Sequence, residues 1–518
     1  MNCLLVYPAI PTTFWSFTYA LKFIRKKAAY PPLGLLTIGA MLPPTWTRRL
    51  VDLNVEKLRD VDLEWADLVF IGAMTLQRES TREIIARCHA MGVKVVAGGP
   101  LFTNEPDAIE RIDHLILGEA ELTLPPFLDD LANGRPKNVY RTDDFCDLHN
   151  TPVPAWELAA IKKYASLSIQ FSRGCPFNCD FCNITTLFGH RPRLKAAAQV
   201  TAELDAIYAT GWRGNVFFVD DNFIGNKGFL KSDLLPALIR WRQDKRGIVF
   251  MTETSINLAD DPELIALMVK AGFDAVFIGI ESPDEASLAE CSKKQNKNRD
   301  LLQNVRIIQN AGMQVQAGFI VGFDVDSPKT FKRMIDFIQQ SGIVTAMVGM
   351  LQAPPGTRLF KRLKMENRII GTVSGDNVDG NTNIIPKMGI ERLKEGYHSI
   401  MTHIYAPKHY YRRVKIFLKE FKAPEVRIPL NYRHFLAVLH SSIRLGFLGK
   451  ERFHYWGLII WTLFQRPRLL PIALTMAIYG YHFRKICVLL LNSLLHLLIP
   501  PPCLFSFSLA SFGHSELF

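Results

Sequence analysis

Short apolar runs alternate with stretches of helical period over the first 150 residues of the chain. The apolar runs are Cys3 to Tyr7, Leu68 to Ile71, Lys94 to Ala97 and His114 to Leu117. Between them lie stretches such as Ser80 to Met91, in which apolar residues recur at helical spacing. Short apolar strands that alternate with helices are typical of a parallel sheet covered on both faces. The pattern predicts an α/β, doubly wound first domain over residues 1–150.

The same alternation resumes after residue 155 and gives way to helices after residue 371. Strands are predicted at Asn215 to Val219, Ile248 to Met251, Val276 to Ile280 and Gln316 to Phe323. The stretch from Gly371 to Asn383 is rich in Gly, Asn and Asp, which is typical of a loop. Helical patterns follow at Gly389 to Tyr405, Lys408 to Phe421 and Arg433 to Leu445. We expect a second α/β domain over residues 155–370 and a helical extension over residues 371–518.

Composition excludes several classes of protein. The 518 residues are 48% hydrophobic, which is too apolar for a disordered chain. Nine cysteines give no even disulfide framework, and no signal segment opens the chain, so we expect a reducing, cytoplasmic location. The net charge of +12 is concentrated near the C-terminus, where residues 401–470 contain 13 Lys or Arg and three acidic residues. Because the excess is local, we predict no nucleic-acid partner.

The C-terminal tail favours contact with a membrane surface. No Lys, Arg, Asp or Glu occurs from Ile486 to Ser515, and Pro500 to Pro502 interrupt this tail after about fourteen mostly apolar residues. That length is too short for an ordinary spanning helix of about 20 residues. Basic residues beside Trp456, Trp461 and Phe464 favour a peripheral contact, although a solvated basic face would give the same pattern.

Three cysteines lie within eight residues, at Cys175, Cys179 and Cys182. Gly174, Pro176 and Asn178 place them on a loop, where the thiols can converge on one metal centre. A structural zinc site would need a fourth ligand, for which His190 is the nearest candidate. A ferredoxin-type cluster would need a fourth cysteine at a suitable spacing, and unreactive buried cysteines are the remaining alternative. A cluster with three protein ligands would leave one iron open to a substrate or cofactor.

This cysteine spacing, with Phe181 before the last cysteine, resembles the radical S-adenosylmethionine (SAM) superfamily. The resemblance implies that Cys175, Cys179 and Cys182 hold a [4Fe-4S] cluster whose open iron binds SAM. One-electron reduction would then release a 5′-deoxyadenosyl radical. An external electron donor of the flavodoxin or ferredoxin type is implied as a partner.

Later strands resemble the strands that contact SAM in this superfamily. The residues implied to contact SAM are Phe181, Asp220, Asp221, Glu253, Glu281, Gly318 and Gly322. Asp220 and Asp221 could equally cap the helix that follows them. The resemblance implies an incomplete TIM-like barrel with its site at the carboxyl ends of the strands. The basic residues after Cys291 are interpreted as a solvated run, namely Lys293, Lys294, Lys297 and Arg299.

The first domain resembles the cobalamin-binding domain that precedes many radical SAM domains. The residues implied to contact cobalamin are Met74, Thr75, Gly98, Gly99, Pro100, Gly118 and Glu119. Turn formation alone is an alternative role for the glycines. The Asp-x-His-x-x-Gly motif of other cobalamin domains is absent, because Asn54 follows Asp52 where the histidine would stand. If cobalamin binds, we predict that no histidine of the protein ligates cobalt.

The C-terminal region resembles the extension of a subgroup that includes hopanoid methylases. Gly375-Asp376-Asn377 and the stretch Trp461 to Pro467 carry this resemblance. Together the resemblances imply a radical SAM enzyme that uses cobalamin, C-methylating an unactivated carbon of a lipid-like or other small substrate. The alternatives are a cobalamin-dependent cyclase or oxidoreductase and a non-catalytic iron-sulfur or cobalamin binding protein. The sequence indicates no oligomeric state.

Overall fold

Six parallel strands form the first sheet of the computed structural model, which describes residues 1–423, 426 and 432–498. The strands are β1 (Asn2–Tyr7), β2 (Thr47–Asp52), β3 (Leu68–Gly72), β4 (Lys94–Gly98), β5 (His114–Leu117) and β6 (Val139–Arg141). The helices of this part are α1 (Thr18–Leu21), α2 (Leu33–Met41), α3 (Asp60–Trp65), α4 (Arg78–Ala90), α5 (Pro100–Asn104) and α6 (Ala120–Ala132). The spatial order is β2-β1-β3-β4-β5-β6, which confirms the doubly wound prediction.

Alternate side chains of β1 enter two separate cores. Leu4 and Val6 pack into the core on one face of the sheet, and Cys3 and Leu5 pack into the core on the other. Burial on both faces explains why the central strands are continuous apolar runs. The edge strands β2 and β6 escaped the sequence analysis because β2 contains two arginines and β6 has three residues.

A second parallel sheet begins after residue 165 and forms an open half-barrel. Its strands are β7 (Ser166–Ile169), β10 (Gly214–Phe218), β11 (Ile248–Thr254), β12 (Phe273–Glu281), β13 (Gln314–Val321) and β14 (Ala346–Met350), in that spatial order. Between β7 and β10, β8 (Ser172–Arg173) and β9 (Arg193–Leu194) form a short antiparallel ribbon. The helices of this part are α7 (Ile184–Phe188), α8 (Ala197–Ala209), α9 (Lys227–Phe229), α10 (Leu235–Trp241), α11 (Pro262–Ala271), α12 (Glu285–Glu290), α13 (Leu301–Ala311), α14 (Pro328–Ser341) and α15 (Arg358–Met365). The six-stranded order confirms the incomplete barrel.

The C-terminal extension packs on the barrel as part of one continuous core. Its helices are α16 (Ile390–Tyr405), α17 (Pro407–Glu420), α18 (Tyr432–Ser441), α19 (Arg452–Gln465) and α20 (Leu470–Leu498), with a π-helical turn at Ser442–Phe447. Buried residues of the barrel and of the extension belong to the same hydrophobic cluster, which also takes in Phe14 and Phe23. The stretch around these two phenylalanines therefore packs with the barrel and the extension.

The first part of the apolar tail is helical. Residues 486–498 complete α20, which is 29 residues long, and the prolines that follow lie outside the described residues. No helix of the described chain combines the length and the apolar character needed to cross a membrane.

Candidate active site between the two sheets

The cysteine loop leaves the barrel between β8 and β9 and is held by two neighbouring carboxylates. Asp220 accepts hydrogen bonds from the backbone N–H groups of Phe171 and Ser172 and from the Ser172 hydroxyl. Asp221 accepts one from the N–H of Gly174 at 2.9 Å. Both aspartates follow β10, so the end of one barrel strand fixes the start of the loop. Burial raises the pKa of Asp220 to about 7 and that of Asp221 to about 6.

Gly174 turns the chain into the loop in a conformation that only glycine adopts without strain. Its φ is 95°, and a Cβ there would lie 3.0 Å from three carbonyl oxygens, those of Phe188, Gly189 and Arg191. The loop is therefore closed on itself by backbone packing at Gly174.

The three thiols of the loop lie close enough to influence one another. Cys179 is buried, and Cys175 and Cys182 are half-buried. Burial raises the pKa of all three, to about 12 for Cys182, and the nearby charge of Lys293 opposes the rise. No three metal-binding side chains among the described residues are grouped tightly enough for a single ion, and His190 is exposed. Three thiols on one loop near the cation of Lys293 supply the donor set that an iron-sulfur cluster with three protein ligands would need.

Lys293 is the main site residue that the sequence analysis missed. The interpretation of a solvated run is wrong for it, because its Nζ donates to Glu281 Oε1 at 2.7 Å and its side chain is 12% exposed. Arg299 forms an exposed ion pair with Asp260, which does not contradict the interpretation. Asn296 folds this loop onto the end of β12 by donating to the carbonyl oxygens of residues 279 and 280. A sequence pattern could not show that the loop turns inward.

Glu281 and Glu253 occupy the ends of neighbouring strands and differ in their partners. Glu281 has a φ of 62° and is paired with Lys293. Burial alone would lower the pKa of Lys293, but the negative charges of Glu281 and the thiols hold this pKa above its usual value. The carboxyl group of Glu253, in β11, forms no hydrogen bond within the described residues. Burial and the charges of Asp221 and Asp220 raise the pKa of Glu253 to about 8. Glu253 is therefore a carboxyl group available to a ligand.

The remaining residues implied to contact SAM have structural partners as well. Phe181 packs on the apolar cluster that contains Phe323. Gly318 lies on β13, where a Cβ would come within 3.0 Å of the Phe277 ring. Gly322 has a φ of 109°, so backbone conformation alone requires glycine there.

Aromatic side chains line the inner face of the barrel. Trp15 donates from Nε1 to Met347 Sδ at 2.9 Å and packs edge-on against Phe277, with ring centroids 5.4 Å apart. Tyr30 packs on Phe217 at 5.5 Å. Burial, together with the charge of Glu253, raises the pKa of Tyr30. The N-terminal stretch thus contributes an apolar wall beside the barrel carboxylates.

The carboxyl edge of the first sheet brings together the residues implied to contact cobalamin. Met74, Thr75, Gly98 and Gly99 are partly accessible there, and Pro100 and Gly118 are exposed. Gly98 and Gly99 also have a packing role, because a Cβ at either would lie under 3 Å from a neighbouring backbone oxygen. This partly accessible edge with glycine backbone fits a large neutral ligand.

Glu119 is hydrogen-bonded within the protein at the contact between the two domains. Its carboxylate accepts hydrogen bonds from Arg193 at 2.7 and 2.8 Å, from Arg173 at 3.2 Å and from the N–H of Cys146 at 2.6 Å. Burial opposes ionisation, but the two guanidinium groups hold the pKa of Glu119 below its usual range. Arg173 also pairs with Glu121 at 2.6 Å. Glu119 therefore joins the two domains, and its contact with cobalamin stays a prediction.

Both polar atoms of the Asn54 side chain are hydrogen-bonded within the protein. Its Oδ1 accepts from the N–H of Ile10 at 2.8 Å, and its Nδ2 donates to Pro8 O and to Asp52 Oδ1. The position where related motifs carry a histidine therefore supports the turn after β1.

The loop before α16, which contains Gly375 and Asn377, packs against both sheets. A Cβ on Gly375 would lie 2.6 Å from the backbone nitrogen of Leu76 and 3.0 Å from the side chain of Thr75. A Cβ on Gly349, in β14, would meet the carbonyl oxygen of Asn377 at 2.1 Å. The Gly375-Asp376-Asn377 motif thus lies between the edge of the first sheet and the last barrel strand.

Three protein families match consecutive parts of the chain. The B12 binding domain matches residues 25–128, the Radical SAM superfamily matches residues 169–338, and a domain of unknown function, DUF4070, matches residues 357–494.

Curated relatives match almost the whole chain. An uncharacterized methyltransferase of Synechocystis is 39% identical over 492 residues, covering 93% of this chain and 91% of its own. The hopanoid C-2 methylase of Rhodopseudomonas palustris is 34% identical over 468 residues, covering 88% of each chain.

Solved structures match the fold at low identity. The radical SAM methyltransferase TsrM of Kitasatospora setae, with cobalamin and a [4Fe-4S] cluster bound, has a TM-score of 0.60 at 15% identity, covering 95% of this chain and 99% of its own. The cobalamin-dependent radical SAM enzyme OxsB has a TM-score of 0.61 at 15% identity, covering 96% of this chain and 80% of its own.

Proposed function

This chain belongs to the cobalamin-binding radical SAM family that includes hopanoid methylases, and on that premise we propose which of its residues serve the cofactors and what class of substrate it methylates. It is an enzyme of the cobalamin-dependent radical SAM methyltransferase type. Its cofactors are a [4Fe-4S] cluster, SAM and cobalamin.

Cys175, Cys179 and Cys182 are the proposed cluster ligands. When bound, the cluster and SAM supply a radical that abstracts hydrogen, and the cobalamin supplies a methyl group for the resulting carbon radical. Asp220 acts by anchoring the loop, because its oxygens are taken by backbone and hydroxyl donors. Its expected direct contact with SAM stays a prediction.

Asp221, Glu253 and Glu281 are the proposed polar contacts of SAM. Asp221 has one oxygen bonded to the loop, and Glu253 has no partner among the described residues, so both can accept from the amino group or the ribose. Lys293 holds Glu281 in place and contributes positive charge beside the thiols. Phe181, Gly318 and Gly322 would shape the surrounding wall.

Met74, Thr75, Gly98, Gly99, Pro100 and Gly118 are the proposed cobalamin contacts. Their edge offers backbone and uncharged side chains, which suits the broad face of a corrin ring. The Gly375 loop would limit the room for such a ligand on the side of the barrel.

The proposed substrate is apolar and lipid-like. The observation that carries this proposal is the inner face of the barrel, where Trp15, Tyr30, Phe217, Phe277 and Met347 present aromatic and thioether surface. The similarity to a hopanoid C-2 methylase supports the same class. We also propose an external electron donor of the flavodoxin or ferredoxin type and a peripheral position at the inner face of the membrane.

Turnover with methyl-labelled SAM and extracted lipids tests the proposal. The reconstituted enzyme, under anaerobic reducing conditions, is expected to form 5′-deoxyadenosine and to place the label in a lipid product. A soluble metabolite as the labelled product would contradict the substrate class. Deoxyadenosine with an unlabelled, altered product would favour a cyclase or oxidoreductase.

A further inference from the structure

Exposed apolar side chains are concentrated in one short part of the extension. Among the described residues 22 large hydrophobic side chains are exposed, and eleven of them lie within residues 432–464. We call these eleven the apolar face: Tyr432, Phe435, Val438, Leu439, Ile443, Phe447, Leu448, Phe453, Ile460, Leu463 and Phe464. The other exposed hydrophobic residues are scattered along the chain, for example Val61, Val153 and Met365. Such clustering marks a contact surface.

The apolar face follows one side of α19. Phe453, Ile460 and Phe464 are spaced by seven and four residues, which places them on the same side of a helix. The opposite side carries Tyr455, Leu458 and Thr462, all buried against the protein.

The same division holds in α18 and the turn after it. Phe435, Leu439 and Ile443 recur at a spacing of four and are exposed. Ala437, Ser441 and Leu445 are buried. The helix pair therefore has two apolar sides, of which one packs on the protein and the other faces outward.

Positive charge surrounds the apolar face. Arg444, Lys450 and Arg452 are exposed within it, and the guanidinium of Arg452 lies 5.1 Å from the ring centroid of Phe453. The single acidic residue between positions 432 and 468 is Glu451, which is buried and pairs with Arg484 at 2.6 Å. The outward side is thus apolar and cationic.

The N-terminal stretch links this surface to the barrel interior. His440 of α18 lies 3.1 Å from the carbonyl oxygen of Phe23, which belongs to a short helix, Lys22–Ile24. Eight residues earlier, Trp15 contacts Phe277 and Met347 on the inner face of the barrel. The N-terminal stretch therefore contacts both α18 and the inner face of the barrel.

We propose that the apolar face docks the enzyme on a bilayer that contains anionic phospholipids. Its aromatic and aliphatic side chains enter the boundary between headgroups and acyl chains, and the basic residues pair with the phosphates. Docking brings the opening of the barrel to a substrate that resides in the membrane. The role of docking in substrate delivery rests on the lipid-like substrate proposed above. The binding of the apolar face to a bilayer does not depend on which reaction the enzyme catalyses.

Vesicle co-sedimentation of the full-length holoenzyme tests the docking. Vesicles are made of phosphatidylcholine with or without phosphatidylglycerol. We expect binding to vesicles with phosphatidylglycerol and weaker binding without it. Phe453→Glu, at a side chain 78% exposed, should weaken binding about tenfold or more, since it replaces a large apolar group that would be buried. Met365→Glu, at a side chain 80% exposed on α15, is the matched control and should bind like the wild type.

The basic residues are tested with a paired substitution. Lys450→Gln with Arg452→Gln should weaken binding to anionic vesicles by about thirtyfold, because each basic residue near such a surface contributes about 1 kcal/mol. Lys361→Gln with Lys364→Gln, two exposed lysines of α15, should leave binding unchanged. Both pairs lie on the surface, so circular dichroism should show an unaltered fold.

Several outcomes would overturn the proposal. The wild type could fail to bind anionic vesicles, or Phe453→Glu could bind as well as the wild type. Light scattering could show that Phe453→Glu dissociates a dimer that does not bind vesicles, which would make a second copy the occupant. Methyl transfer to detergent-dispersed lipid, measured on the same variants, separates the two proposals. If the wild type methylates dispersed lipid but does not bind vesicles, docking fails and the proposed function stands. If Phe453→Glu loses vesicle binding but methylates dispersed lipid as the wild type does, docking is supported separately from the chemistry.

Discussion

The carboxyl ends of the two sheets approach one another but offer different chemistry. The edge of the first sheet has Thr75, Gly98 and Gly99, which present backbone and a hydroxyl. The edge of the barrel presents carboxylates, three thiols and a buried lysine. The first edge suits a large neutral ligand, and the second suits a charged ligand with a metal centre.

The difference shows that the hydrogen-bond partners of a carboxylate near a site indicate whether it is available to bind a ligand. Asp220 and Glu119 lie at the two edges, and the donors of the protein engage both of them. Glu253 lies near Asp220 and Asp221, and its carboxyl group forms no hydrogen bond within the described residues. Glu253 is therefore the stronger candidate for ligand binding.

The largest expected effect comes from the barrel edge itself. Cys179→Ala should abolish both the [4Fe-4S] absorbance and the formation of 5′-deoxyadenosine, because it removes one of three proposed ligands. Cys88→Ala, at a buried cysteine of the first domain, is the control and should retain both. A full cluster with deoxyadenosine formation in Cys179→Ala would remove the basis for the assigned loop.

Removing the buried Lys293 tests whether positive charge at the barrel edge affects the reduction potential of the cluster. Lys293→Met should lower the reduction potential of the cluster, because the nearby cation favours the added electron, and should slow SAM cleavage by about a hundredfold. Lys294→Met, at the exposed neighbour, should change neither. Spectroelectrochemical titration measures the potential. Equal potentials for the two variants would contradict the inferred proximity of Lys293 to the cluster.

The contact between the two edges has a smaller expected effect. Arg193→Met leaves Glu119 with Arg173 as its remaining charged partner and should destabilise the protein by about 2 to 3 kcal/mol. Arg191→Met, at an exposed position, should cost little. Thermal unfolding of both variants decides the matter. An unchanged midpoint for Arg193→Met would show that the domain contact does not depend on this pair.

The smallest effect is expected at the carboxyl edge of the first sheet, where we predict that no histidine of the protein ligates cobalt. In electron paramagnetic resonance of bound cob(II)alamin, labelling the protein histidines with nitrogen-15 should leave the hyperfine pattern unchanged, because Asn54 stands where a ligand would be expected. A pattern altered by the label would identify a histidine below cobalt.

Much of the fold followed from the sequence, because buried parallel strands are recognisable apolar runs. The central strands β1, β3 and β4 were predicted within a residue or two of their bounds. The edge strands β2 and β6 were not, since edges carry polar residues or are very short. The helices α19 and α20 were also missed, because their apolar residues lack one clear period.

Site residues were predictable where local spacing carries the chemistry. The cysteine loop shows its function in eight consecutive residues. Lys293 and Arg193 act across the fold, and their partners are 12 and 74 positions away. A single sequence contains no signal for such pairs, so the structure was needed to find the buried lysine and the domain contact.

The most direct test of the account is whether both edges serve one site. The reduced cluster and cob(II)alamin are both paramagnetic, so low-temperature electron paramagnetic resonance of the doubly loaded enzyme reports on their proximity. The account predicts that each signal is broadened or split relative to enzyme loaded with one centre alone. A spectrum equal to the simple superposition of the two separate signals would contradict the claim that the two sheets face a common active site.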